Sequence, residues 1–151
     1  MRVKHSVSLV IHPPDNTTLI LAVKRPNNDS EFPDLWGLPA CSAEKNESFE
    51  SAAFRIGPEK LGVHLTVGSM IAEGTQGRSN YQLKMALFEC TAPSQLITLS
   101  NHLPGKTCYT DWKWVELSYF NVSAQTGSLC CRLLINHSSS NYNFLDKPTS
   151  I

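Results

Sequence analysis

"WGLPACSAEKNESFESAAFRIGPEKLGV", residues 36–63, decides how this chain is read. Residues 48–56 are helix formers, and Ser48 is a good N-cap for them. Gly57-Pro58 then breaks the pattern. Pro58 has no N–H for the Phe54 carbonyl, and a proline inside a helix costs about 3 kcal/mol. It also biases Gly57 away from helical angles. The sequence therefore predicts a helix that ends or kinks between Ile56 and Glu59, with Pro58 opening a new turn. At about 100° per residue, a Phe54 that faces a sheet brings Leu61 to the same side. Phe49, Ala52, Arg55, Ile56, Glu59 and Lys60 then fall on the opposite side, toward a cleft.

Working outward, residues 6–12 (SVSLVIH) and 17–24 (TTLILAVK) are β-branched and apolar, with PPDN between them. They predict a β-hairpin. Residues 25–35 read as a polar, Pro-bearing loop, and 36–40 as a short extended piece. Segments 64–73, 80–90 and 107–117 alternate as strands do. Residues 127–137 read as a second helix, and 138–151 as a loose polar tail on which Phe144 and Leu145 could dock. No repeat or linker divides residues 1–137, which form a single domain. Strands, a central helix, more strands and a final helix make an α+β fold, or an α/β/α sandwich with a mixed sheet.

The chain has 151 residues, with 13 basic and 13 acidic side chains. The balance leaves no basic field to draw in nucleic acid. Its apolar runs are strand-sized, so no membrane span is expected. No signal-peptide cleavage site follows the basic and apolar N-terminus, and the chain reads as cytoplasmic. The five cysteines lack a C-x-x-C pair, which argues against a disulfide framework or a structural zinc site.

The 36–63 stretch resembles the Nudix box, G-x5-E-x7-R-E-U-x-E-E-x-G-U, with its frequent WGLP companion upstream. Glu47, Arg55, Glu59 and Gly62-Val63 match. Cys41 replaces the opening Gly, Ile56 the Glu after Arg, Gly57 the aliphatic residue and Lys60 the second Glu of the pair; Pro58 is out of place in a helix. The resemblance implies a Nudix-like α/β/α sandwich with a mixed β-sheet, and water attack on a nucleoside diphosphate linked to another group. It also implies Mg²⁺ or Mn²⁺, gathered by three acids at i, i+3 and i+4 of the helix. Here that trio is Ile56, Glu59 and Lys60. Unit charges 4 Å apart at an effective dielectric of 20 interact by about 4 kcal/mol. A divalent ion roughly doubles that, as repulsion from Lys60.

Glu47, Arg55 and Glu59 are thus the catalytic candidates, with Glu59 the one remaining metal ligand. Arg25, Arg55, Lys60, Arg78 and Trp114 are candidates for ligand binding, and Tyr81 and Trp112 are further aromatics suited to stacking. Asp111 and Glu116 are acids from outside the box. Each has an ordinary reading as well: an i,i+4 surface pair for Arg55 and Glu59, a helix-supporting acid for Glu47, solvated loops for Arg25 and Arg78. Cys41 is a reactive thiol only if something nearby lowers its pKa.

Two functions fit. One is a Nudix-type pyrophosphohydrolase with a weak metal site. The other is a catalytically silent Nudix fold, needing no cofactor, that binds a nucleotide, another small ligand or a protein. Both favour a phosphorylated small-molecule partner, and a homodimer stays open. What separates them is whether metal is needed.

Overall fold

Strand β1 (Arg2–His12) is the spine of the computed structural model, which describes the backbone of residues 2–146 and the side chains of residues 2–139. Three further strands follow before the first helix: β2 (Ile20–Lys24), β3 (Trp36–Gly37) and β4 (Ala40–Ser42). After it come β5 (Thr66–Gly77), β6 (Tyr81–Thr91) and β7 (Asp111–Val115). One edge of β1 pairs in parallel with β6 from end to end, and the other pairs antiparallel with β4. β5 returns antiparallel on β6, so the larger sheet is mixed, in the order β4-β1-β6-β5. A second, antiparallel sheet has the order β3-β2-β7.

The predicted hairpin between the first two strands does not form. Both edges of β1 are occupied, so the chain crosses to the other sheet, where β2 pairs with β3 and β7. The alternation behind that expectation is real, but it divides β1 between two cores. Val7, Leu9 and Ile11 join Ala86 and Phe88 on one face, whereas Val10 joins Leu83, Met85 and Leu87 on the other.

Helix α1 (Phe49–Ile56) covers the first face, with Ser48 capping it through a 3.0 Å bond from the Ser51 N–H. Its buried side is Ala52, Ala53 and Ile56, and Phe54 is 59% exposed. The predicted phase is therefore wrong. Ile56 and Leu61 lie in the core, and Ile56 is not a cleft residue. The Gly57-Pro58 break is real but gentler than expected. The α-helical pattern stops at Ile56 and continues as a π-turn, Gly57–Leu61. Gly57 keeps right-handed angles (φ −56°, ψ −62°) despite the proline, and the Gly62 N–H bonds back to its carbonyl. The wider turn places Pro58 near its start, where the missing N–H costs little.

Helices α2 (Asn121–Thr126) and α3 (Leu129–Asp146) follow β7, after a 3₁₀ turn at Leu117–Phe120. The sequence missed α2 and the 3₁₀ turn. α3 packs on β5 and β6, across the large sheet from α1, completing an α/β/α arrangement. It also runs past position 138, where a loose tail was expected. The side chains of Phe144 and Leu145, and residues 147–151, lie outside the described residues. No described helix is long and apolar enough to cross a membrane.

Gly57 fits its place by size. A Cβ there would stand 2.5 Å from the Val63 carbonyl oxygen and 2.9 Å from Leu65 Cγ. Gly57→Ala is predicted to destabilise the fold by about 1–3 kcal/mol through overpacking, measured as a fall in the urea midpoint at constant m-value.

Candidate functional site

At the end of the layer between the large sheet and α3 lies a cleft of about 240 Å³. Strand periodicity builds its floor: Lys4 and Ser6 of β1 lie beside Tyr81, Leu83 and Met85 of β6 on one sheet face. Ser6 is 6% exposed, and its hydroxyl has no hydrogen-bond partner among the described residues. The rim is cationic, with Arg25, Arg55, Arg78 and Lys106 joining Lys4 and the deeper Lys60.

Arg55 knits the box together. It gives Glu47 a bidentate pair of bonds (Nε to Oε2, 2.9 Å; Nη2 to Oε1, 3.1 Å), reaches Glu59 Oε1 at 3.1 Å, and donates to the Ser42 carbonyl at 2.8 Å. The guanidinium holds the Glu47 carboxyl well below its usual range, at about 2. Glu47 also accepts from the Glu44 N–H and the Ser51 hydroxyl. Glu59 Oε1 takes a second cation, Lys106 Nζ, at 3.1 Å. Burial works to raise the Glu59 pKa, but the bond from Lys106 and the charge of Arg55 outweigh it and lower it.

Lys60 points inward. It is 5% exposed, donates to the Ala40 carbonyl at 2.6 Å, and lies 5.1 Å from the Tyr109 ring centroid. Burial pushes its pKa down to about 8. The Tyr109 hydroxyl accepts from the Ala40 N–H at 2.9 Å and donates to the same carbonyl at 3.2 Å. Arg55 and Lys60, both expected to grip a ligand, are thus engaged by the protein itself.

Arg25 and Arg78, which could have been solvated loop residues, do line the cleft. Arg25 bonds Asp29 at 3.2 and 3.3 Å; Arg78 bonds Glu31 at 2.6 Å and Gln76 at 2.8 Å. Trp114 is placed elsewhere: it packs on the core and donates its indole N–H to the Gln95 carbonyl at 3.0 Å. Trp112 packs on the same core, and Phe32, Tyr81 and Tyr109 are the aromatics of the cleft. Asp111 bonds the Trp112 N–H, and Glu116 lines a separate groove. Cys41 is buried with its thiol 3.6 Å from the Ala52 carbonyl, and burial raises its pKa, which removes the reactive-thiol reading. Sequence reasoning missed Lys4, Ser6, Lys106 and Tyr109. The alternation of β1 was the available signal for Lys4 and Ser6; nothing local marked the other two.

The donor set does not suit a divalent cation. Glu47 and Glu59 are paired with Arg55 and Lys106, so positive charge already matches the negative. Ile56 offers no donor and is turned into the core. Among the described residues, no three His, Cys, Asp or Glu side chains are gathered as a metal site.

Solved structures share this architecture. A MutT protein from Methanosarcina mazei Go1 superposes with TM-score 0.75 at 16% identity, covering 93% of this chain and 96% of that one. The fold is that of the Nudix hydrolases. The E. coli ORF135 protein matches with TM-score 0.69 at 18% identity, over 99% of this chain and 96% of its own. A C. elegans Ap4A hydrolase in a binary complex matches with TM-score 0.64 at 20% identity, over 93% and 99%. No family model matches the sequence, and no curated protein does either.

Two pH dependences follow. The folded Glu47 pKa lies below its ordinary 4.5, so its ionised form stabilises the fold. That contribution is full above pH 4.5 and is lost as pH falls toward 2. Glu47→Gln is predicted to be less stable than wild type at pH 7, with the gap closing over that window in urea melts. Lys60 behaves in the opposite sense. Its folded pKa of about 8 lies below the ordinary 10.5, so carrying the charge costs stability below pH 8, and the cost is relieved between pH 8 and 10.5. Lys60→Met is predicted to gain on wild type at pH 7 and to lose that advantage by pH 10.5.

Proposed function

We propose that this chain binds a phosphorylated small molecule of the nucleoside-diphosphate type in the cationic cleft, and that metal-assisted hydrolysis there is weak or lost. The observation that carries this reading is the engagement of both remaining box acids by protein cations, Glu47 by Arg55 and Glu59 by Arg55 and Lys106. A metal would have to displace those cations and tolerate Lys60 nearby.

The rest of the cleft suits an anion. Lys4, Arg25, Arg78 and Lys106 lie around its mouth. Guanidinium groups match phosphate oxygens in pairs, and a lysine ammonium supplies a point charge. Ser6 offers a free hydroxyl, and Leu83, Met85 and Leu129 an apolar floor, for the uncharged part of the ligand. Likeness in fold to an Ap4A hydrolase supports a nucleotide-type ligand. Residual hydrolysis rests on Glu59, whose side chain is 34% exposed.

Calorimetric titration with ADP, with Mg²⁺ or with EDTA, tests the proposal. Binding of the same strength in both conditions is expected. Nucleotide or phosphate release with Mg²⁺ at pH 8 is expected to fall far below the ordinary enzyme range of about 1–10³ s⁻¹. ADP affinity that depends on Mg²⁺, together with turnover inside that range, would overturn it.

A further inference from the structure

The polar loop 25–35 places two carboxylates among the rim cations. Asp29 shapes the loop: it accepts from the Phe32 N–H at 2.8 Å and the Glu31 N–H at 3.2 Å, and it pairs with Arg25. That fold carries Glu31 over the cleft. Glu31 Oε2 takes Arg78 Nη1 at 2.6 Å and the Tyr81 hydroxyl at 3.0 Å. Phe32 is flanked by both arginines, 5.8 Å from Arg25 and 5.5 Å from Arg78. Arg2 and Lys4 lie 5.7 and 5.6 Å from the Tyr81 ring centroid.

The two sides of the Glu31–Arg78 pair are unequal. The Arg78 side chain is 14% exposed and is braced by Gln76, which itself bonds the Gly127 carbonyl. The Glu31 side chain is 40% exposed, and its partners Arg78 and Tyr81 lie across the cleft rather than on its own loop. The cation is fixed and the anion can leave. Arg2 and Lys4 lie over the ring of the Tyr81 that Glu31 bonds, so this end of the cleft gathers more cations than Glu31 pairs.

We propose that Glu31 is an internal stand-in for a ligand phosphoryl group. It occupies a built anion subsite, Arg78 and Tyr81, until a phosphate or diphosphate displaces it and the loop swings away. The idea rests on the cleft-binding reading above and adds its regulation. Two phosphoryl oxygens take over the Arg78 Nη1 and Tyr81 hydroxyl bonds, and Glu31 returns to water. Phosphate, with more charge and more acceptor oxygens than one carboxylate, gains where an uncharged ligand does not.

Calorimetric titration of wild type, Glu31→Gln, Glu31→Ala and the double variant Glu31→Gln/Arg78→Gln with inorganic pyrophosphate, ADP and adenosine decides the matter. Both Glu31 variants are expected to bind pyrophosphate and ADP more tightly, by roughly 2–5-fold for release of a partly exposed ion pair, with adenosine unchanged. Glu31→Gln/Arg78→Gln is expected to lose the gain. Wild type that binds pyrophosphate, with no tightening in either Glu31 variant, overturns the stand-in and leaves the cleft reading intact. An equal gain for adenosine overturns it too, because the loop then blocks access without mimicking charge. If neither wild type nor variants bind pyrophosphate or ADP, the cleft reading fails and takes this inference with it.

Discussion

Arg55 joins three separately made pieces of backbone through one guanidinium. The Ser42 carbonyl belongs to β4, Glu47 to the approach to α1, and Glu59 to the π-turn beyond it. A planar fork with five N–H donors can satisfy all of them together, and a lysine could not. Because β4 is a short strand on the edge of β1, this cross-link sets where the cleft wall stands relative to the floor. It also consumes the acids. The same bonds that fix the wall leave little negative charge for anything else.

Ala40 is the second fixed point. Tyr109 holds both its N–H and its carbonyl, and Lys60 adds a third bond. Burying an ammonium is expensive unless it is hydrogen-bonded, and here the bond and the tyrosine ring offset part of the cost. The helix widening at Gly57-Pro58 belongs with this arrangement: the chain passes through a π-turn and delivers Leu61 to the core and Lys60 to Ala40.

Much of the architecture was legible in residues 36–63 and in the strand patterns. Ser48 was readable as a cap, and Gly57-Pro58 as the end of the α-helical pattern. The phase of α1 was not, because Phe54 looked like a core residue and two alanines with Ile56 do that work instead. The β1–β2 pairing failed for a similar reason: local alternation identifies a strand but not its partner, and the partner of β1 lies more than seventy positions away in β6. Glu47 and Glu59 were legible because the box is contiguous, and Arg25 and Arg78 only as loop arginines, one after the second strand and one in GTQGRSNY. Tyr109 and Lys106 reach the site only through long-range packing, and a single sequence carries little trace of that.

The burial of Ile56 makes the altered box hard to undo. A carboxylate at that position would have to leave the core it shares with Phe88 and Leu61, or carry its charge among them. A carboxylate at position 60 would face the Ala40 carbonyl that Lys60 now satisfies. Each exchange would be opposed by neighbours that have settled around the present residue. Placing acids at positions 56 and 60 is therefore a repacking problem before it is a chemical one.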